Sequence, residues 1–192
     1  MPQNMIHAPF VGRDSEMTRL RDLLDRAGGG EPRAVLVAGD AGVGKSRTLA
    51  EAAAYAARRG TVVFTGHCVD LGDVGLPYLP FTEILGALAA DERFAPLLQA
   101  HPATARLLGG GAEGGDRLQL FEGIAALLTD LAGKTPVLLV LEDLHWADQS
   151  SRDLLRFLLS RAVLQLPAPG SPAHRLAVFA SYRADDLHRR HP

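Results

Sequence analysis

The chain has 192 residues, enough for one α/β domain with a sizeable core, and its composition (47% apolar, 22% charged) is that of an ordinary globular protein. A net charge of −2 provides no basic face for nucleic acid, and a single cysteine, Cys68, excludes a disulfide framework and a cysteine zinc site. Because no apolar run approaches ~20 residues and the N-terminus lacks signal-peptide features, we expect a cytoplasmic protein with no membrane contact and no direct nucleic-acid binding by this segment.

The first third of the chain reads as an N-terminal arm followed by a helix and a strand–helix–strand unit. Asp14 and Ser15 are predicted to cap the first helix, which three consecutive glycines terminate. The apolar run 34–38 is predicted to be a buried strand, followed by an alanine-rich helix at 45–59 and a second strand at 61–65. Such a unit predicts a right-handed crossover with parallel pairing. The apolar face of the first helix carries Met17, Leu20, Leu23 and Leu24.

The rest of the chain alternates helical and strand patterns in the same way. Glycine and proline clusters separate these patterns and predict irregular connections. In chain order, we predict an irregular segment at 68–80, helices at 81–90 and 95–108, a mobile glycine-rich loop at 109–115, a helix at 116–132, a strand at 137–141, a helix at 149–166 and a strand at 176–181.

Residues 39–46, Gly-Asp-Ala-Gly-Val-Gly-Lys-Ser, match the phosphate-binding pattern G-x-x-x-x-G-K-[S/T] between a strand and a helix. The three glycines are expected to take positive φ angles and to let the backbone N–H groups converge on an anion. Lys45 would neutralise the β- and γ-phosphates, and the hydroxyl of Ser46 would bind Mg²⁺. The predicted phosphate-binding residues are Gly39, Asp40, Ala41, Gly42, Val43, Gly44, Lys45, Ser46 and Arg47. The pattern therefore predicts a site for a nucleoside triphosphate with Mg²⁺.

Two carboxylates, Glu142 and Asp143, follow the predicted strand at 137–141. The carboxyl end of a buried parallel strand is where α/β sheets place ligand chemistry. By position, Glu142 is predicted to hold the metal through water, and Asp143 to orient or deprotonate an attacking water. The simpler alternative is that Asp143 opens the next turn and Glu142 is solvated.

The fourth strand ends in Ser181, Tyr182 and Arg183. If this strand lies beside the first, Ser181 and Arg183 are expected near the γ-phosphate, where an arginine can sense the third phosphate. The alternative is a surface arginine next to a partly buried tyrosine.

Four segments together resemble the ATPase domain of STAND-type, Orc1-like AAA proteins, in particular the large ATP-binding transcriptional regulators of the LuxR family. They are FVGRDSE at 10–16, the P-loop at 39–46, LVLEDLHWAD at 139–148 and SYRADDLHRRHP at 181–192. The resemblance implies a P-loop NTPase fold of the ASCE/AAA-like type, an α/β three-layer sandwich around a parallel sheet.

The resemblance also implies a domain organisation. Similar ATPases have strand order 5-1-4-3-2 and a helical lid, so this chain would be truncated before the fifth strand and the lid. We expect one domain at 1–192, with an N-terminal arm and helix at 1–30 and a nucleotide-binding core at 31–192. The first strand would lie at an open sheet edge, which invites aggregation or pairing with another chain.

Several residue roles rest on the resemblance alone. It implies ATP as the nucleotide, with Val11, Gly12 and Arg13 near the adenine. Trp146 and Asp148 look like family markers, although the simpler interpretation is that Trp146 is a core anchor and Asp148 caps the following helix. Relatives commonly carry glutamate where Asp143 stands, so the shorter side chain implies slow hydrolysis.

The favoured functional hypothesis is the nucleotide switch of a LuxR-family transcriptional regulator, a weak ATPase that binds ATP and ADP. The first alternative is an ATPase module fused to a nucleotide cyclase or a protein kinase. The second is a degenerate interaction scaffold that no longer uses nucleotide. We also expect self-association, either through the sheet edge or through an ATPase interface. DNA contact is expected only through a missing downstream domain.

Overall fold

A computed structural model of the chain describes residues 12–72, 76–109, 117–163 and 174–184. Within these ranges, four parallel strands form one sheet in the order β1-β4-β3-β2. The strands are β1 Arg33–Gly39, β2 Val62–His67, β3 Val137–Glu142 and β4 Leu176–Arg183. The predicted α/β class and the strand order implied by the resemblance are therefore confirmed for these four strands.

Helices cover both faces of this sheet. They are α1 Asp14–Gly28, α2 Lys45–Arg58, α3 Leu79–Ala90, α4 Ala95–Ala100, α5 Ala105–Leu108, α6 Arg117–Lys134 and α7 Gln149–Leu158. Short turns of other helix types occupy Pro102–Thr104, Leu144–Trp146 and Leu159–Val163. In the part of the chain that the structure describes, no helix is long and apolar enough to cross a membrane.

The sheet forms the middle of three layers, with helices on each side. The two central strands pack against both helical layers, because successive side chains on a strand point to opposite faces. β3 is apolar from Val137 to Leu141 and β4 from Leu176 to Ala180, and these residues are buried on both faces of the sheet. Leu138, Val140 and Phe179 pack in one core cluster with α1 and α2. The alternate residues, such as Leu139 and Val178, pack in a second cluster with α3 and α6.

The first strand differs from its prediction as a buried strand. Its residues alternate between half-buried and exposed, and Leu36 is 56% exposed. Only β4 pairs with β1 among the described residues, so β1 lies at the sheet edge as the resemblance implied. The apolar run identified a strand correctly, but burial depends on which elements lie against it, and those are not encoded locally.

Two further local predictions require correction. The strands β1 and β2 are parallel but do not pair with each other, because β4 and β3 lie between them. The N-cap of α1 is Arg13 and makes no side-chain cap bond, so Asp14 and Ser15 lie inside the first turn. An aspartate in that turn still interacts favourably with the helix dipole.

On the predicted apolar face of α1, Leu23 is only partly buried.

Proline and glycine positions explain most remaining differences in the helices. The predicted helix at 95–108 is interrupted by a turn at Pro102–Thr104, since proline cannot donate an intrahelical bond. The predicted helix at 149–166 is regular only to Leu158 and continues as a π turn to Val163, beyond which the description ends. The glycine-rich loop predicted at 109–115 lies outside the described residues, apart from Gly109. Within the described residues, no helix or strand precedes Leu79 in the segment predicted to be irregular.

Helices α1 and α2 run side by side in the same direction. Near their N-terminal ends, Arg13 contacts Val43, and near their C-terminal ends the hydroxyl of Tyr55 donates to the carboxylate of Asp25 at 2.9 Å. Arg59 also pairs with Asp25, at 2.9 Å. The contacts of Arg13 with Val43 and of Asp25 with Tyr55 both join residues 30 positions apart in sequence. The offset between the two segments is therefore the same at both ends of α1.

The contact between β2 and α3 leaves no room for a side chain at Gly66. A Cβ atom there would lie 2.2 Å from the backbone oxygen of Pro80. We expect Gly66→Ala to lower the free energy of unfolding by about 1–3 kcal/mol, because backbone must move to accept the methyl group. Urea denaturation measures this change.

Gly86 in α3 supplies the matched control. A Cβ atom at Gly86 meets nothing within 4 Å, and alanine is the better helix former, so Gly86→Ala should raise stability by about 0.5–1 kcal/mol. Equal stability of the Gly66 variant and the wild type would contradict the tight contact.

Candidate nucleotide-binding site

The loop from Asp40 to Gly44 joins the carboxyl end of β1 to the start of α2. Two of its glycines have positive φ angles, 76° at Gly42 and 87° at Gly44. Gly39 does not share this property, contrary to the prediction, because it is the last residue of β1. A Cβ atom at Gly39 would lie 3.1 Å from the Val43 side chain, so glycine serves there for close packing.

The backbone N–H groups of this loop lack backbone acceptors, as those of an anion site do. Among the described residues, no backbone carbonyl accepts a hydrogen bond from an N–H between Asp40 and Ser46. The first backbone bond of α2 is donated by Thr48 to Gly44, at 2.9 Å. Donors at a helix N-terminus that lack backbone acceptors favour a bound anion.

Lys45 is buried inside the loop, with 7% of its surface exposed. Its ammonium group donates to the carbonyl oxygens of Gly39 at 2.8 Å and Asp40 at 2.7 Å. These two bonds satisfy a charge that burial would otherwise penalise. Ser46 is exposed at the next position, at the start of α2.

The acidic pair lies at the end of β3, next to β4. Glu142 is the last residue of the strand and is half-buried. Asp143 has φ 57° and ψ 47°, a left-handed conformation that few residues other than glycine adopt. Its N–H donates to the hydroxyl of the fully buried Ser181 at 2.8 Å, which helps to hold this conformation. Asp143 also opens the turn at Leu144–Trp146, so the structural role raised by the sequence is present too.

The end of β4 lies beside the P-loop, as the sequence suggested it would if β4 neighboured β1. In the register of the two strands, Ser181 is opposite Val37 and Arg183 is opposite Gly39. The N–H of Ala184 also donates to the Gly39 carbonyl, at 3.2 Å. Ser181 contacts the acidic pair, and Arg183 is half-buried at the first residue of the P-loop.

The segment before α1 also reaches the P-loop. The guanidinium of Arg13 donates to the carbonyl oxygen of Val43. Gly12 is exposed beside it with φ 83°, and Val11 lies outside the described residues. Sequence reasoning missed the bond between Arg13 and Val43, because a contact across 30 positions leaves no periodic pattern.

Trp146 and Asp148 lie beyond the acidic pair. The carboxylate of Asp148 accepts from the N–H of Ser151 at 3.0 Å, which confirms it as the N-cap of α7. The interpretation of Trp146 as a core anchor is wrong. Its ring is half-buried and lines a cavity of about 120 Å³ together with Cys68 and Asp148.

The preceding residue, His145, is buried where Trp146 is not. Its ring packs 4.9 Å from Trp146 and 6.0 Å from Tyr182, measured between ring centroids. Its Nδ1 atom is 3.9 Å from a carboxylate oxygen of Asp143.

The donor set suits magnesium better than a metal held entirely by protein. Among the described residues, no three or more His, Cys, Asp or Glu side chains are grouped as a metal site. Mg²⁺ usually has one or two protein oxygens and completes its shell with water and phosphate. The hydroxyl of Ser46, at the start of α2, and the carboxylate of Glu142, at the end of β3, are the protein oxygens that fit this description.

Burial and three carboxylates control the chemistry of Cys68. Desolvation by burial is the largest cause, and together with the charges of Asp148, Asp143 and Glu83 it raises the pKa of the thiol from 9.0 to about 12. The folded pKa lies above the unfolded one, so this group's contribution to stability is complete below about pH 9 and is lost as the pH rises towards 12.

We therefore expect Cys68 to resist labelling in the folded protein at about pH 8.5. Reaction with a chromogenic disulfide reagent should be at least about 100-fold slower than in guanidinium chloride, where the thiol regains its ordinary pKa. Labelling at similar rates in both conditions would show that the cysteine is exposed or ionised in the folded chain.

Comparison with known proteins places this geometry in a family. The fold is similar to that of the ORC2 protein of Aeropyrum pernix, solved in ADPNP and ADP complexes, with a TM-score of 0.51 and 16% sequence identity. That alignment covers 95% of this chain and 43% of the other.

A curated protein of Rhizobium meliloti (strain 1021), the uncharacterized protein R02095, is 26% identical over 173 residues. The match covers 77% of this chain but only 17% of that protein. The chain thus spans less than a fifth of this curated relative.

The family model described as AAA ATPase domain matches residues 9–170. This match spans most of the chain and includes both the P-loop and the acidic pair. The chain therefore belongs to the AAA ATPase domain family.

Proposed function

We propose that this domain binds MgATP at the P-loop and acts as a slowly hydrolysing nucleotide switch in a transcriptional regulator of the LuxR family. One observation carries the proposal. The N–H groups from Asp40 to Ser46 have no backbone acceptor among the described residues, and the same loop holds the buried ammonium of Lys45 on the carbonyls of Gly39 and Asp40. Such an arrangement concentrates positive potential where a polyphosphate would lie.

The same residues would exchange partners when nucleotide binds. Lys45 donates to two loop carbonyls in this structure, so a phosphate oxygen can replace a neutral acceptor with a charged one. The metal would be held by Ser46 and Glu142, where it neutralises charge on the phosphates. Binding is thus expected to require both the lysine and the loop N–H groups.

The acidic pair supports hydrolysis at a low rate. Asp143 is held at the strand end by the bond from its N–H to Ser181. Its carboxylate is attached by one methylene group fewer than a glutamate, which keeps it farther from an attacking water. A general base that reaches its water poorly contributes less to the rate, so slow turnover suits a switch.

β4 supplies the route by which nucleotide state could change the domain. Ser181 contacts Asp143, and two residues later Arg183 lies opposite Gly39 of the P-loop. A strand that touches both parts of the site can respond to the presence of a third phosphate. Arg183 is the residue that we assign to sensing it.

Base recognition and partners complete the proposal. Gly12 and Arg13 lie next to the P-loop, and the resemblance implies that the segment of Val11, Gly12 and Arg13 borders the adenine. The open edge of β1 is a candidate surface for self-association. ATP and ADP are the proposed ligands, the cytoplasm the proposed location, and DNA contact is assigned to a domain outside these residues. Fusion to a cyclase or kinase is the alternative architecture.

Calorimetric titration of ATP, ADP and GTP with Mg²⁺ tests the binding site. Wild-type protein should bind ATP and ADP, and Lys45→Ala should lose most of that affinity because the loop loses its cation. At ~100 times the dissociation constant, MgATP should stabilise the wild type by roughly 2.7 kcal/mol and the variant far less.

Lys134→Ala is the matched control, since Lys134 is an exposed lysine at the end of α6. It removes the same charge far from the P-loop in sequence and should bind ATP as the wild type does. If MgATP stabilises neither the wild type nor the Lys45 variant, a scaffold that no longer uses nucleotide is favoured.

Single-turnover hydrolysis with excess protein tests the role of Asp143. Asp143→Asn tolerates the left-handed conformation but cannot accept a proton, so phosphate release should fall by about 100-fold while MgATP affinity stays the same. Asp22→Asn, on an exposed position of α1, should leave the rate unchanged. An unaltered rate in the Asp143 variant would place the base elsewhere.

A further inference from the structure

The side chain of Arg13 contacts the P-loop backbone, not only the neighbourhood of the base. Arg13 is the N-cap of α1, and its carbonyl accepts the N–H of Met17 at 2.9 Å. Its half-buried side chain extends away from the helix, and the guanidinium donates to the carbonyl of Val43. The bond therefore links the start of α1 to the middle of the phosphate loop.

The geometry of a peptide unit gives this bond a consequence. The unit between Val43 and Gly44 is planar, and in a trans peptide its C=O and N–H point in opposite directions. A donor that fixes the Val43 carbonyl thereby fixes the Gly44 N–H towards the opposite side. Among the described residues, no backbone carbonyl accepts that N–H.

The neighbouring groups restrain this peptide unit only in part. The carbonyl of Gly44 accepts from the N–H and the hydroxyl of Thr48 at 2.9 and 3.0 Å, which holds the peptide unit after Gly44 and not the one before it. Gly44 has φ 87°, and glycine populates several φ regions at similar cost, so the unit before it can still rotate. The side chain of Val43 lies close to Gly39, although Val43 is 40% exposed. The hydrogen bond from Arg13 therefore fixes the direction of the Gly44 N–H, and it comes from a residue outside the loop.

Arg13 is itself held firmly. Met17, Leu20 and Leu24 of α1 are buried against α2 and the sheet. At the far end of the helix pair, Asp25 accepts from the hydroxyl of Tyr55. Helix α1 therefore presents Arg13 to the loop from a fixed position.

We propose that Arg13 is a positioning residue for polyphosphate, which acts through the Val43 carbonyl to aim the Gly44 N–H at a phosphate oxygen. This inference rests on the proposed nucleotide site. It assigns the arginine to the phosphate part of the ligand, whereas a base contact would assign it to adenine.

Two ligands separate these assignments, because inorganic tripolyphosphate carries the phosphates of ATP without a base. We expect Arg13→Met to weaken binding of MgATP and of magnesium tripolyphosphate by the same factor, about tenfold, the effect of losing one charge-assisted hydrogen bond. Methionine keeps the apolar stem, so the fold should be preserved. Arg13→Gln replaces it if the methionine variant does not fold.

Arg19→Met on the exposed face of α1 is the control for net charge and should leave both affinities unchanged. Titrations at low and moderate salt add a second readout. If the variant loses a bond to a neutral carbonyl, the factor by which its affinity falls should not depend on salt. If it loses a direct attraction to phosphate, that factor should shrink at higher salt, because salt screens the attraction. Unaltered melting temperature without ligand excludes a merely structural effect.

The outcomes are distinguishable. If wild-type protein binds neither ligand, the proposed nucleotide site fails. If wild-type protein binds both ligands, three results for the Arg13 variant would overturn the positioning role. They are normal affinity for both ligands, a loss of affinity for MgATP alone, and a loss of affinity that disappears as the salt concentration rises. Equal, salt-independent weakening of both ligands supports it.

Discussion

The structure depends on a buried ammonium group that must have acceptors. Lys45 lies inside the loop between β1 and α2, and in this structure the carbonyls of Gly39 and Asp40 accept its hydrogen bonds. That requirement turns two carbonyls inward, while the N–H groups of the same loop have no backbone acceptor among the described residues. A loop with this division of donors and acceptors is stable without ligand and still able to exchange carbonyl oxygens for phosphate oxygens.

The order of the strands determines which residues meet at this loop. Because β4 lies between β1 and β3, the end of one strand reaches both halves of the site. Ser181 holds the N–H of Asp143, and Arg183 lies opposite Gly39. The chemistry proposed here thus follows from topology as much as from the motif.

Local patterns predicted the elements and the motif, but not the contacts made across the chain. The apolar run at 34–38 identified β1, and the glycine and lysine spacing identified the P-loop, since both are properties of adjacent residues. The left-handed conformation of Asp143 and the bond from Arg13 to Val43 were not predicted, because each requires a partner distant in sequence. The core position that the simpler interpretation predicts for Trp146 is not found, because His145 is buried and Trp146 is half-buried.

The register between α1 and α2 limits how the N-terminal helix can vary. Its N-terminal end contacts the P-loop and its C-terminal end contacts α2, and each contact joins residues 30 positions apart. Inserting or deleting one residue between them would turn the following part of α1 by about 100°, so that Asp25 could no longer face Tyr55 while Arg13 remained at the loop. Homologous domains that keep both contacts should therefore differ in α1 by substitution and hold its length constant.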